Sequence, residues 1–451
     1  MFGCVRIFCV AGTTHHLSVS SGPAPNGRAS SRVCVSEPGR QGEAQRIRGT
    51  ACHGRYSERA IGNRLWLHDS GFTRCPKRQV PTVPSATAPL TATLGPVRQT
   101  YARAEDFPSV TKAYRTVSRT VQEQGLLARA PIFYTLVASA IGLGFAITIT
   151  AAILIGNSWW QLAIGAALGL LFTQVAFLTH EAAHRQILST GPANDRLARV
   201  LAASIGMSYS WWDSKHSRHH ANPNQIGRDP DIEVDTISFL ETDAAESRGI
   251  VRWITQRQGW LFFPLLTLEG LNLHLHGFKH LFGRGPVKAR ATEIVLICTR
   301  FVLLFGAIFF FLPVGKAFAL SGVMLAVFGV GMGASFAPNH KGMPVIDPNT
   351  RLDFFAKQVR TSRNIRGGWW ATVLMGGLNY QIEHHLFPSM ARPHLAKTRL
   401  IVREFCREND VPYTETSLLR SYAIVIDYLN RVGLAARDPF DCPIAAQYGR
   451  R

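Results

Sequence analysis

Acidic residues are scarce in this chain of 451 residues: 29 Asp and Glu stand against 49 Lys and Arg, leaving a formal charge of +20. No zinc-finger, RRM or helix-turn-helix signature accompanies that charge. This excludes the nucleic-acid readers a basic balance would otherwise suggest and leaves anionic membrane lipids as the partner. Paired cysteines are missing too. Of eight cysteines, Cys4, Cys9, Cys34, Cys52 and Cys75 precede residue 76 without CxxC spacing, and Cys298, Cys406 and Cys442 are isolated. Neither a zinc site nor a disulfide framework fits, and a reducing cytoplasmic setting does. No GxGxxG follows a strand and no iron–sulfur cysteine run occurs, so no electron-carrying cofactor motif is legible. The opening MFGCVRIFCVAG is broken by Arg6 and lacks a small-residue cleavage site, which argues against a secretory signal.

Charge itself is missing from two long stretches. Between Pro131 and Leu178 no charged residue occurs, and between Ile294 and Ala337 only Arg300 and Lys316 do. Pro131–Ile155 is long enough to cross about 30 Å of hydrocarbon, and after Gly156-Asn157-Ser158 the run Trp159–Leu178 returns. A second hairpin is predicted from Ile294–Leu312, a turn at Pro313–Lys316, and Ala317 to Phe336. The two turns hold one charge, whereas Lys and Arg crowd every other segment, so the turns face outward and both termini lie in the cytoplasm. The shorter run Trp260–Leu275 contains Glu269, Asn272 and His274, and reads as an interfacial helix or one buried against the bundle.

The predicted architecture is therefore all-α and integral to the membrane, with four transmembrane helices in two hairpins and a cytoplasmic histidine-rich cap. Residues 1–85, with twelve basic and four acidic residues through Arg78 and no hydrophobic periodicity, read as a disordered basic extension or an over-extended start. Residues 86–130 read as a cytoplasmic helical segment leading to the membrane, 131–415 as the catalytic domain, and 416–451 as a cytoplasmic tail.

Three clusters carry the chemistry: His180-Glu-Ala-Ala-His184, His216-Ser-Arg-His219-His220, and Gln381-Ile-Glu383-His384-His385. On a helix, positions i, i+3 and i+4 share a face, so each cluster can present its imidazoles together. Seven imidazoles are too many for one four- to six-coordinate ion, and two ions can divide them; ligand type alone does not name the metal. His340, at the end of the fourth span, is an eighth candidate, and Asn339 beside it could bind through a water. Glu181, Asp213, Asp229, Asp231 and Glu383 are candidates to accept the second imidazole N–H and fix each ring. His15, His16, His53, His68, His276, His280 and His394 stand alone and read as surface or core residues. The tryptophan pairs Trp159/Trp160, Trp211/Trp212 and Trp369/Trp370 read as interface markers.

With boxes of the form HxxxH, HxxHH and QxxHH in this order, the sequence resembles the membrane fatty-acid desaturases. KHSRHHANPNQIGRDPDI, TSRNIRGGWW and GGLNYQIEHHLFPSMARPHL look especially similar to bacterial acyl desaturases related to linoleoyl-CoA and stearoyl-CoA desaturases. The resemblance covers residues 130 to 415. It implies two iron ions with O2 as co-substrate, a long acyl chain carried on CoA or lipid, and a bacterial cell membrane. It implies that His180, His184, His216, His219, His220, His384 and His385 bind iron, with His340 matching an additional histidine of some members, and no catalytic group apart from the metal centre. Gln381 departs from members with histidine there, and the HPGG motif of a fused cytochrome b5 domain is absent from the sequence. A separate NAD(P)H-dependent reductase or electron carrier is then expected. Hydroxylases and ketolases on the same scaffold share the box pattern. The literal HExxH at His180–His184 also admits an intramembrane zinc protease with Glu181 as base, although that reading leaves the other two boxes unexplained.

Overall fold

The computed structural model describes residues 17–21, 31–35, 101–102 and 111–437. The chain divides into residues 1–90 and 91–451. In the first unit, β1 (Leu17–Ser21) and β2 (Ser31–Val35) form an antiparallel pair with Leu17 opposite Val35. The rest of the expected extension, residues 1–85, lies outside the described residues.

The second unit is helical. The short β3 (Tyr101–Ala102) precedes α1 (Thr111–Glu123), and the membrane hairpin follows as α2 (Pro131–Ile155) and α3 (Gln161–Ala183). Pro131 occupies the first turn of α2, where its missing N–H leaves no intrahelical bond unmade. α4 (Gly191–Ser204) and α5 (Tyr209–Ala221) follow, the latter capped by Ser208, whose hydroxyl accepts from the Trp211 N–H. Next come α6 (Glu241–Glu246), α7 (Gly249–Thr255) and α8 (Gln258–Phe282). The second membrane hairpin is α9 (Arg290–Phe311) and α10 (Val314–His340).

The four hairpin helices are long and apolar enough to cross a membrane, with mean hydropathy of 2.2, 1.9, 2.6 and 1.9 in chain order. α3 and α10 form the inner pair, while α2 and α9 leave most of their surface outward. The inner pair runs in one direction. Gly165 faces the backbone of Leu320, Gly169 that of Met324, and Gly331 of α10 faces Thr173 of α3. A Cβ on Gly165 or Gly169 would lie 2.7 or 2.6 Å from a carbonyl oxygen of α10, so the approach requires glycine. Lys316 joins the two hairpin turns through its Nζ to Asn157 O (2.9 Å) and Oδ1 (2.7 Å). Because the turns meet at one end and α3 and α10 run together from it, both helices deliver their histidines to the other end. α8 lies along α10, with Gly270 and Gly329 packed on one another's helices, in keeping with the expected burial against the bundle.

The cap is completed by β4 (Val345–Ile346), α11 (Phe354–Arg360), β5 (Asn364–Arg366), α12 (Gly368–Leu374), a 3-10 turn (Leu378–Tyr380), α13 (Gln381–Leu386), α14 (Arg392–Glu408), β6 (Glu415–Ser417) and α15 (Leu418–Leu434). β3 pairs with β4 and β5 with β6, both in parallel. Gly376 and Gly377 both adopt positive φ (58° and 86°), and the Gly377 N–H returns to Thr372 O at 2.9 Å. This left-handed step turns the chain from α12 into the third box. Residues 416–451, expected as a tail, begin within β6 and continue into α15, which belongs to the body of the fold: Ser421 Oγ donates to Pro338 O, Tyr422 OH to Ala334 O and Tyr428 OH to Phe239 O.

Candidate metal centre

All eight predicted histidines meet at the cap end of α3 and α10, and they divide into two sets. His180, His184, His216, His220 and His384 form one, and His219, His340 and His385 the other; within each, the candidate ligand atoms lie within 4.8 Å of one another. Helix geometry makes the division. On α5, His216 and His220 are one turn apart and enter the first set, while His219, about 100° round the helix from His220, enters the second. On α13, adjacent His384 and His385 separate in the same way. The sequence expectation that each box aims at one point holds for the first box alone. The two sets are contiguous: the His220 and His385 rings stack with centroids 4.2 Å apart.

The second set shows its chemistry in its hydrogen bonds. Nδ1 of His219 lies 3.0 Å from Asp229 Oδ1, Nδ1 of His340 3.0 Å from Thr361 O, and Nδ1 of His385 2.8 Å from Gln358 Oε1. Each acceptor fixes the proton on Nδ1 and leaves a lone pair on Nε2. The Nε2 atoms of His219 and His340 then face one another at 3.4 Å, and His385 Nε2 is buried with no partner. In the first set, Nε2 of His184 is 2.9 Å from Nε2 of His216, Nε2 of His384 is 3.2 Å from that of His220, and His180 Nε2 is buried without a partner. Burial and neighbouring imidazoles push His216, His220, His384 and His385 well below the ordinary histidine pKa, and burial takes His184 down to about 3. His219 moves the other way, because Asp229 and Asp231 outweigh the burial that opposes its charge. In the second set the Nδ1 acceptors leave the Nε2 lone pairs of His219, His340 and His385 available to one cation, and in the first the Nε2 atoms of facing rings approach as closely as two donors to a shared ion. The residues fit a pair of metal ions.

The other candidates divide. Asp229 holds His219 and is itself fixed by the N–H groups of Asn224 (2.7 Å) and Asp231 (2.9 Å). Asp231 Oδ2 is 3.4 Å from His219 Nδ1, and its Oδ1 pairs with Lys215 at 3.1 Å. Gln381 Nε2 lies 2.9 Å from His340 Nε2, and its Oε1 accepts from Asn339 Nδ2 at 3.1 Å, so both residues stand at the edge of the second set.

Three acidic candidates do not hold an imidazole. Glu181 makes a buried bidentate pair with Arg392, both bonds 2.6 Å, because its position on α3 turns it toward α14. Both oxygens of Glu383 are taken, by Asn364 Nδ2 (2.7 Å) and Tyr413 OH (2.8 Å), while burial raises its carboxyl to about 7. Asp213 makes no bond to a box histidine among the described residues and sits instead among the charges of Asp195, Lys288, Arg185 and Arg199.

Sequence reasoning missed Gln358, which accepts from His385 and donates to His220 O at 2.9 Å. It also missed the Thr361 carbonyl and Arg392. No spacing rule marks a lone glutamine or a backbone carbonyl.

Comparison with known proteins accords with this geometry. The fatty acid desaturase family model matches residues 157–417. The Delta(8)-fatty-acid desaturase 2 of Arabidopsis thaliana is 28% identical over 356 residues, covering 75% of this chain and 78% of its own. An acyl-lipid (9-3)-desaturase of Borago officinalis is 26% identical over 356 residues, with shares of 75% and 78%. The Delta(6)-fatty-acid desaturase fat-3 of Caenorhabditis elegans is 27% identical over 288 residues, 60% of this chain and 65% of its own. These relatives are plant and nematode proteins, so the particular likeness to bacterial enzymes is not what they support. The family match takes in more than half of the chain and runs through all three boxes that build the two histidine sets, so the chain belongs to the fatty acid desaturase family.

Proposed function

We propose that this membrane oxidoreductase is a di-iron acyl desaturase, in which His180, His184, His216, His220 and His384 hold one iron and His219, His340 and His385 the other. The observation that carries this reading is the pair of contiguous imidazole sets, in each of which the candidate ligand atoms lie within 4.8 Å of one another. Bound there, the two irons would supply O2-dependent removal of hydrogen from unactivated methylenes, which no side chain achieves by acid–base chemistry. The chain's own residues do the rest. Asp229, Gln358 and the Thr361 carbonyl orient three rings, and the apolar cluster of Phe177, Ile365, Met375 and Leu378, with Phe336 against it, excludes water beside His180.

The names of the relatives support an acyl chain as substrate and desaturation rather than hydroxylation or ketolation. The zinc-protease reading loses its base, since both oxygens of Glu181 are held by Arg392. Lys and Arg crowd the histidine end while the opposite turns carry Lys316 alone, which supports a cytoplasmic cap and cytoplasmic termini. Electrons would come from a separate NAD(P)H-dependent reductase or carrier docking on that basic face.

Metal analysis of the purified full chain tests the assignment. Iron approaching two per chain is expected, reduced in His219→Ala and in His384→Ala. A single tightly held zinc, with proteolysis lost in Glu181→Gln, would overturn it.

A further inference from the structure

A cavity of about 290 Å³ opens on the cap, walled by Arg366, Gly367, Gly368, Tyr380, Arg399 and Glu415. It contains no box histidine, yet its walls join the residues that hold the third box. Asn364, one residue before Ile365 in the same wall, bonds Glu383 and the Ile382 N–H, and Tyr380 directly precedes Gln381. Arg399 and Glu415 cancel one another through two 2.6 Å bonds. Arg366 is exposed and makes no ion pair among the described residues, so the cavity carries one uncompensated positive charge.

The level of this cavity in the membrane follows from α12, which begins at its rim. Trp369 (80% exposed), Trp370 (44%), Val373 (55%) and Leu374 (49%) present an outward apolar face too rich for contact with water. The Val373 carbonyl accepts from Gln174 Nε2 of α3 at 3.3 Å. Gln174 lies nine residues before the end of α3, about 13 Å into the span at about 1.5 Å per residue. The distal part of α12 is thus at hydrocarbon depth, its tryptophans suit the interface, and Arg366 precedes them on the cap side. The anions held at that level are lipid phosphates. From Ile365 in the cavity wall, the apolar layer of Met375, Leu378 and Phe336 continues to the His180 ring, 6.2 Å from that of Phe336.

We propose that this cavity receives the phosphate-bearing head of a membrane phospholipid, with Arg366 as its cation, and that the esterified acyl chain is the one presented to the histidine centre. The second half of this statement rests on the desaturase reading; the first does not.

Native mass spectrometry of the detergent-purified full chain tests it, with phosphatidylcholine, the phosphate-free diacylglycerol of the same chains, and oleoyl-CoA as probes. The wild type should retain phosphatidylcholine at least about tenfold over diacylglycerol, the scale of one charge-assisted contact. Arg366→Gln should lose that preference with iron content intact, and Arg366→Lys should restore much of it. Equal phosphatidylcholine retention in wild type and Arg366→Gln would overturn the site. Loss confined to oleoyl-CoA would assign the cavity to a soluble thioester and overturn the lipid. Retention that follows Arg366 in a protein that desaturates no acyl probe would overturn the substrate role while leaving the headgroup site standing.

Discussion

Replacing Arg392 by Met would leave the Glu181 carboxylate buried, 2% exposed, with its two 2.6 Å partners gone. What remains is Tyr134 OH at 3.5 Å, and that hydroxyl already bonds Gln186 Oε1 at 2.8 Å. Breaking a buried ion pair by removing one partner costs about 3–5 kcal/mol, a large share of the roughly 5–15 kcal/mol that holds a typical protein folded. Glu181 stands between His180 and His184 on α3, and Arg392 begins α14 just after the third box, so the pair ties two boxes together. Arg392→Met should therefore lower both thermal stability in detergent and iron per chain. Glu181→Leu combined with Arg392→Met removes both charges and should recover most of the stability, giving a coupling of roughly 2–3 kcal/mol in a double-mutant cycle. Full iron content in Arg392→Met, or a double variant whose loss is the sum of the single losses, would refute the clamp.

Asp229→Asn should weaken metal binding about 10–100-fold in competition with a chelator, because His219 loses the carboxylate that fixes its Nδ1 proton. Gly169→Leu should prevent α3 and α10 from closing, read as a lowered melting temperature in detergent, since even a Cβ would stand 2.6 Å from Met324 O. The metal-free protein should lose stability on acidification. His384 and His385 are held well below the unfolded pKa of about 6.5, so below that pH the unfolded chain binds protons that the folded one refuses. Stability then falls as pH drops from about 6.5 toward the folded pKa values, by up to about 1.4 kcal/mol per pH unit for each such imidazole. A melting temperature of stripped protein that is flat between pH 6.5 and 5 would contradict this.

The four spans and the eight histidines were legible in the sequence because each obeys a spacing rule: the width of a bilayer, and the turn of a helix. Asp229 was legible as a carboxylate near a box, and the structure puts it on His219. The same reasoning misplaced Glu181 and Glu383, because closeness in sequence does not fix direction. A residue beside a ligand on a helix points about 100° away from it, and these two meet Arg392, Asn364 and Tyr413 from distant segments. Gln358 and the Thr361 carbonyl could not be found from the sequence, since any amide or carbonyl can accept an imidazole N–H. The division of HSRHH and EHH between two sets follows from helix geometry, but only once the neighbouring boxes are in place. α15 has Val425, Leu429 and Val432 buried at helical spacing; it reads as a tail only because the boxes end before it.

Lipid analysis of a host that expresses the full chain tests the central claim most directly, with double-bond positions located by mass spectrometry after derivatisation. A new unsaturated acyl species should accumulate with the wild type and disappear with His384→Ala at equal protein level. An unchanged acyl profile with the iron-loaded wild type, or accumulation of hydroxylated chains in place of unsaturated ones, would contradict the desaturase account.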